Sequence, residues 1–350
     1  MANVTYLIGA GASAGKRDNK GTILEGLPCV NEIPARISNI VDILKKTNIP
    51  DNISWKNPLL GLTTKEEWEK AQKELLHSFL QLLQQTSQHA TIDTYAKKLK
   101  LQGDVVEFKQ LEQLLTLFFI FEQIISKPDT RYDTFLANIL QTAAQLPKNI
   151  RILSWNYDSQ IELAYDEYNK KNGLTIGTKQ DEYYQEYEII KINGTAAFQN
   201  QKSLTLIKEE IAKEIQEAQK DPNSIYAATM RVYLLNFIYL YKLYVANMKD
   251  NTKLSFAFDY TSPTHNIFQC IDEIISKTDA LVIIGYTFPF FNREIDRRIL
   301  NRITPHTKIY IQDLYPERIK QSLKAVLPDI KEDNIVLLKE VDQFFLPPEL

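Results

Sequence analysis

The first apolar run of the chain, residues 3–8 (NVTYLI), stops at Gly9-Ala10-Gly11-Ala12-Ser13, and apolar residues at helical spacing resume over 31–46. A short β-rich run without polar alternation reads as a parallel strand buried on both faces. Glycine lets the backbone turn tightly behind it, and a helix carries the chain back across the sheet. The order then recurs, with strands at 149–154 (NIRILS), 187–192 (YEIIKI), 254–258 (LSFAF), 280–284 (ALVII), 308–311 and 334–339. Helices are expected at 159–169, 265–276, 293–303 and 316–326. Strands separated by helices imply right-handed crossovers. The expected fold is therefore α/β: a Rossmann-like open parallel sheet of about six or seven strands with helices on both faces.

One stretch breaks the pattern. Between residues 59 and 146 nothing reads as a strand, while 66–85, 92–99, 105–125 and 132–144 carry apolar residues at helical spacing. This is a large all-helical insertion. The expected division is a Rossmann-like domain of residues 1–49 plus 147–350, with a helical segment at 204–248 (helices 204–220 and 224–246), and an insertion of residues 50–146. Residues 19–21 and 169–181 read as exposed loops.

Composition removes several classes of function. Lys plus Arg is 41 and Asp plus Glu is 44, so 41 − 44 gives a formal charge of −3 in 350 residues. No large basic surface for nucleic acid follows from that balance. At 44% hydrophobic and 24% charged residues, the chain has ordinary folded composition. Two cysteines, Cys29 and Cys270, exclude a disulfide scaffold and a four-cysteine zinc site. The longest apolar run, 114–121 (LLTLFFIF), ends at Glu122, well short of the roughly 20 residues that span a bilayer. The N-terminus lacks the basic region of a secretion signal. A cytoplasmic chain with reduced thiols, no membrane partner and no metal is expected.

Five polar or glycine-bearing segments close predicted strands, where open α/β sheets hold their ligands. Gly9, Ala10, Gly11 and Ser13 form the first, and backbone N–H groups there with the next helix N-terminus favour a phosphate. The full dinucleotide fingerprint is absent, with no third glycine and no acidic residue ending a second strand. The second is Trp155-Asn156-Tyr157-Asp158, an amide and a carboxylate that can face a crevice, or an N-cap for the helix at 159. The third, Lys191-Ile192-Asn193-Gly194-Thr195, also reads as a turn. The fourth is Gly285-Tyr286-Thr287, followed by Phe288-Pro289-Phe290. The fifth is Asp313, which either holds a ribose hydroxyl pair or caps the helix before Pro316.

In this order the segments resemble the sirtuin (Sir2) superfamily, in its prokaryotic Sir2-like branch. The family's Gly-Ala-Gly-x-Ser turn matches Gly9 to Ser13, and a Gly-Leu-Pro segment matches Gly26-Leu27-Pro28 with Asn31-Glu32-Ile33 after it. Residues 16–25 are extra length in that loop. The Asn-x-Asp strand end matches Asn156 and Asp158. The His-Gly-Ser/Thr turn matches Asn193-Gly194-Thr195 with asparagine for histidine, and Gly-Thr/Tyr-Ser/Thr matches Gly285-Tyr286-Thr287. The resemblance implies NAD as ligand, with Gly11 and Ser13 at the phosphates and Gly285 and Thr287 across the crevice. It implies Asn156 at the nicotinamide ribose or attacking water, Asp158 at the carboxamide, and Asp313 near the adenosine ribose.

Two departures shape the expected activity. Sirtuin deacylases carry a four-cysteine zinc module that two cysteines cannot build, so protein deacetylation is not expected. The family histidine acts as general base, and Asn193 does not titrate near neutrality; losing such a base removes about 10²–10⁴-fold of rate. Bond cleavage through an oxocarbenium-like state with a cationic leaving group remains open to a slow hydrolase. Of the four histidines only His265, seven residues beyond 258, comes near a strand end. The expected activity is an NAD+ glycohydrolase giving nicotinamide and ADP-ribose. In the Sir2-like branch it is linked to antiphage defence, usually in a homo-oligomer or with a defence-system partner protein. The alternative is a non-catalytic NAD or ADP-ribose sensor, or an interaction subunit that docks a partner through its helices.

Overall fold

The computed structural model describes residues 2–51, 53, 56–142, 145–169, 173–178, 187–198, 204–218, 225–246, 252–258 and 265–350. The chain begins with strand β1 (Val4–Ile8) and helices α1 (Ile33–Lys46), α2 (Lys65–Gln88), α3 (Ile92–Gln102), α4 (Val105–Ile125) and α5 (Thr130–Ile139). Strand β2 (Ile150–Ser154), helix α6 (Gln160–Tyr168) and strands β3 (Ile176–Thr178), β4 (Ile189–Lys191) and β5 (Gly194–Phe198) follow. Next come α7 (Leu204–Ala218), α8 (Ile225–Ala246), β6 (Thr252–Leu254), α9 (His265–Ser276) and β7 (Ala280–Ile284). The chain closes with α10 (Arg293–Leu300), β8 (Lys308–Gln312), α11 (Pro316–Val326) and β9 (Ile335–Leu338).

Seven strands form one all-parallel sheet in the order β3-β4-β2-β1-β7-β8-β9. Leu7, Leu153, Leu281 and Ile283 enter one core with Ile271 of α9, Ile299 of α10 and Leu323 of α11. Val4, Tyr6, Ile152 and Val282 enter the other with Phe135 and Leu136 of α5 and Tyr165 of α6. Helices on both faces account for the unbroken apolar runs of the strands. Strands β2, β4 and β3 lie on one side of β1, and β7, β8 and β9 on the other. The order of connections therefore switches sides between β1 and β7, and sheets of this kind take ligands beyond the carboxyl ends of the strands at such a switch point.

Two expected elements change. The 254–258 strand is not part of the main sheet; β6 ends at Leu254 and pairs with β5 in a separate two-stranded sheet. The seventh place goes to β3, inside the segment read as a loop at 169–181. A Cβ on its Gly177 would lie 2.4 Å from the Tyr187 ring, so glycine admits that ring. The rest of that loop apart from 169 and 173–178, and the expected helix ends 143–144, 219–220 and 224, lie outside the described residues.

The chain divides into two compact units at other points than the sequence suggested. One is Met1–Cys29, Ser126–Thr195 and Leu254–Leu350, and the other is Val30–Ile125 and Ala196–Lys253. Helix α5 belongs with the sheet because Tyr132, Phe135, Leu136 and Ile139 pack into its core. Helices α1, α7 and α8 belong with the helical unit. There Phe237 of α8 stacks on Phe121 of α4 at 4.0 Å, and Arg36 of α1 pairs with the buried Glu122 of α4 at 2.8 Å. A capping box at Thr64 and Glu67 starts α2. Among the described residues no helix is long and apolar enough to cross a membrane.

Candidate functional site at the sheet switch point

The turns after β1 and β7 meet backbone to backbone. Gly9 N–H donates to Ile284 O at 3.0 Å and Gly11 N–H to Gly285 O at 3.0 Å. A Cβ on Gly285, whose φ is +58°, would lie 2.4 Å from Gly11 Cα, and one on Gly11 would lie 2.7 Å from Gly285 Cα. These glycines are thus required first by close approach of two chain segments. The N–H groups of Ala12 and Ala14 also bond inside the turn, to Gly9 O and Gly11 O. At most the Ala10 and Ser13 N–H groups of this turn are then left to an anion. Behind it, Arg131 Nη2 donates to Gly11 O at 3.0 Å and Ala12 O at 3.3 Å, while its guanidinium is held by Asp129.

Ser13 is the hub of the site. Its hydroxyl donates to Asp158 Oδ1 at 3.1 Å, and Asn156 Nδ2 donates to its oxygen at 3.1 Å. Tyr132 OH lies 3.0 Å away. A serine hydroxyl has one proton and two lone pairs, so Tyr132 must be a donor and Ser13 is saturated. Ser13 therefore has no side-chain capacity left for a phosphate. Asn156 Nδ2 also donates to Gly9 O at 2.9 Å, which ties the β2 end to the glycine turn.

Asp158 serves the helix as well as the hub. Its Oδ1 accepts from Gln160 N–H at 3.0 Å, at the start of α6. Burial pushes its carboxyl above the ordinary range, and the Lys191 charge pulls it back in part. Lys191 is itself only 1% exposed. Its ammonium pairs with Glu162 at 2.9 Å and donates to Asp158 O at 2.5 Å. Tyr132 is raised well above its usual value by burial first and the Asp158 charge second.

The remaining expected residues are placed less closely. Asn193 follows β4, next to β2 in the sheet, and its carbonyl accepts from Ser255 N–H at 2.8 Å. Its side-chain Oδ1 is buried without a hydrogen-bond partner among the described residues. Thr287 is exposed on the loop after β7. The next residue, Phe288, is buried with φ of 53° before Pro289, a conformation that costs an L residue on the order of 1–3 kcal/mol. Asp313 accepts from Tyr315 N–H at 2.8 Å, a local turn ahead of α11, and is not joined to the Ser13 network. A cavity of about 440 Å³ opens at the carboxyl ends of β8 and β9, between Gln312, Leu338 and the C-terminal stretch 340–346. Gln312 fixes that stretch through Glu340 O, Gln343 O and Phe345 N–H.

The structure thus brings together Gly9, Ala10, Gly11, Ser13, Asn156, Asp158 and Gly285, with Asn193 one strand further out. Sequence reasoning did not find Tyr132, Arg131 or the Lys191–Glu162 pair. The one signal for Lys191 is its place between Ile190 and Ile192 in a strand otherwise apolar. Among the described residues no group of His, Cys, Asp or Glu could hold a metal ion. No protein-family model matches the chain, and no curated protein matches it.

Proposed function

We propose that the chain binds NAD+ at the β1–β7 switch point and cleaves its nicotinamide–ribose bond with water, giving nicotinamide and ADP-ribose. The observation that carries this reading is the Ser13 hub, which ties Asn156 and Asp158 to the glycine turn where the order of the strands switches sides. Both donor protons of Asn156 Nδ2 are used by Gly9 O and Ser13. Its carbonyl oxygen is then the side-chain atom left to orient a water. The leaving group departs already cationic, so positioning a water and excluding solvent supply most of what a slow hydrolysis needs. The cavity beside Gln312 offers room for the nucleobase end of the ligand. Incubation of the protein with NAD+ and chromatography of the products tests the reading. Nicotinamide and ADP-ribose should appear, and Asn156→Ala should abolish them; intact NAD+ in every assembly state defeats it.

A second reading, NAD or ADP-ribose binding without turnover, is favoured by Asn193. His77 and His89 belong to the helical unit, and His306 precedes β8 at the amino end of the sheet. The side chain of His265 lies outside the described residues. Asn193→His should raise hydrolysis if only a base is missing. An oligomer and a defence-system partner enter through the resemblance alone, and light scattering on a sizing column reads the first.

A further inference from the structure

Trp155 Nε1, Asn193 Oδ1 and Ser255 Oγ are buried with no hydrogen-bond partner among the described residues. The three residues expose only 5%, 6% and 6% of their surface. Buried polar atoms are nearly always paired, so each orphan calls for an explanation. Here the three residues are neighbours along the backbone. Strands β2 and β4 are neighbours, with Ser154 opposite Lys191. Trp155 follows β2 directly, Asn193 stands two residues beyond β4, and Ile192 N–H donates to Ser154 O at 2.8 Å. Ser255 N–H donates to Asn193 O at 2.8 Å. The indole of Trp155 stacks on Tyr286 at 5.5 Å and 9°. Tyr286 is held in turn by Asp296 and Asn292.

The three atoms differ in kind. An indole N–H only donates, an amide oxygen only accepts, and a hydroxyl does both. A carboxylate would face Asn193 Oδ1 with a second acceptor, and an ammonium would face the indole with a second donor. A primary carboxamide satisfies all three, because its oxygen accepts from Trp155 while its NH₂ donates to Asn193 and Ser255. The geometry points to Trp155, Asn193 and Ser255 as the recognition site for the carboxamide of the nicotinamide group. The inference rests on the NAD+ reading and gives this role to residues other than Asp158, which the resemblance implied for it. It makes Asn193 a specificity residue rather than a degraded base.

Calorimetric titration of the full chain with NAD+, with nicotinic acid adenine dinucleotide and with ADP-ribose tests it. The acid analogue differs only by a carboxylate in place of the amide, and ADP-ribose has neither. The wild type should prefer NAD+ over the acid by at least about tenfold, because a site built for hydrogen bonds rejects a ligand that leaves them unmade. Trp155→Phe and Asn193→Leu should each bring that ratio toward one while ADP-ribose binds as before, which also shows that the variants are folded. Equal wild-type affinity for NAD+ and the acid overturns the inference and leaves the NAD+ reading standing. Equal weakening of all three ligands overturns it as well, since the residues would then hold the sugar or the fold. Failure of the wild type to bind NAD+ or ADP-ribose overturns the reading and the inference together.

Discussion

The Ser13 hydroxyl donates to Asp158 Oδ1 at 3.1 Å and so joins the turn after β1 to the turn after β2. Ser13→Ala would leave Asp158, Asn156 and Tyr132 each short of one partner in a buried place. Urea unfolding should show a loss of about 1–3 kcal/mol. Tyr132→Phe removes one donor and should cost less, about 1 kcal/mol. The double variant should lose less than the sum, because both changes act on one network.

Gly285 and Gly103 both have positive φ, +58° and +73°, but only Gly285 is crowded. Nothing lies within 4 Å of a Cβ on Gly103, whereas a Cβ on Gly285 would meet Gly11 at 2.4 Å. Gly103→Ala should cost about 1–2 kcal/mol from backbone strain alone. Gly285→Ala must also part the two turns, and should cost more than about 4 kcal/mol and abolish NAD+ binding. Thermal melts and titration of the two variants check the contrast.

Lys191 is buried against Glu162 at 2.9 Å. Lys191→Met leaves that carboxylate without its cation and Asp158 O without its donor, at a cost of about 3–5 kcal/mol. Adding Glu162→Gln removes the stranded charge and should restore part of the loss. Denaturant midpoints of the single and double variants measure it. A double variant no more stable than the single one would mean that the pair is not coupled.

What the sequence discloses and what it hides divide along physical lines. The ends of β1, β2 and β7 are legible because an apolar run buried on two faces must stop at glycine or a polar residue. Helices α4 and α9 keep their expected bounds because their spacing is local. Strand β3 is three residues long with a glycine at its centre, too little pattern to distinguish from a loop. The amphipathic face of α5 announces burial without naming the core it enters, and so the unit boundary was misplaced. Ser13, Asn156 and Asp158 were marked by their positions at strand ends. Tyr132 was not, because its hydroxyl sits on an inward face whose neighbours are 119 residues away in sequence. The orphaned atoms of Trp155 and Ser255 have no sequence signature at all.

Asp296 is a buried carboxyl whose two oxygens accept from Tyr286 OH at 2.9 Å each. Burial raises it well above its ordinary value, and the Tyr286 hydrogen bond offsets only part of that. The fold therefore favours the protonated form. Its contribution is complete below the unfolded value of about 3.9 and is lost as pH rises through the higher folded value. Wild-type stability should decline as pH climbs from about 4, and Asp296→Asn should flatten that decline. Melting temperatures across the pH range read it, with the variant melting about 2 °C or more above the wild type at pH 8.

Amide hydrogen exchange with and without saturating NAD+ tests most directly whether the ligand occupies the switch point. The account predicts slowed exchange in residues 9–13, 154–158 and 285–288, the three turns that meet there. Unchanged exchange in all three, or protection confined to the helical unit, would contradict it.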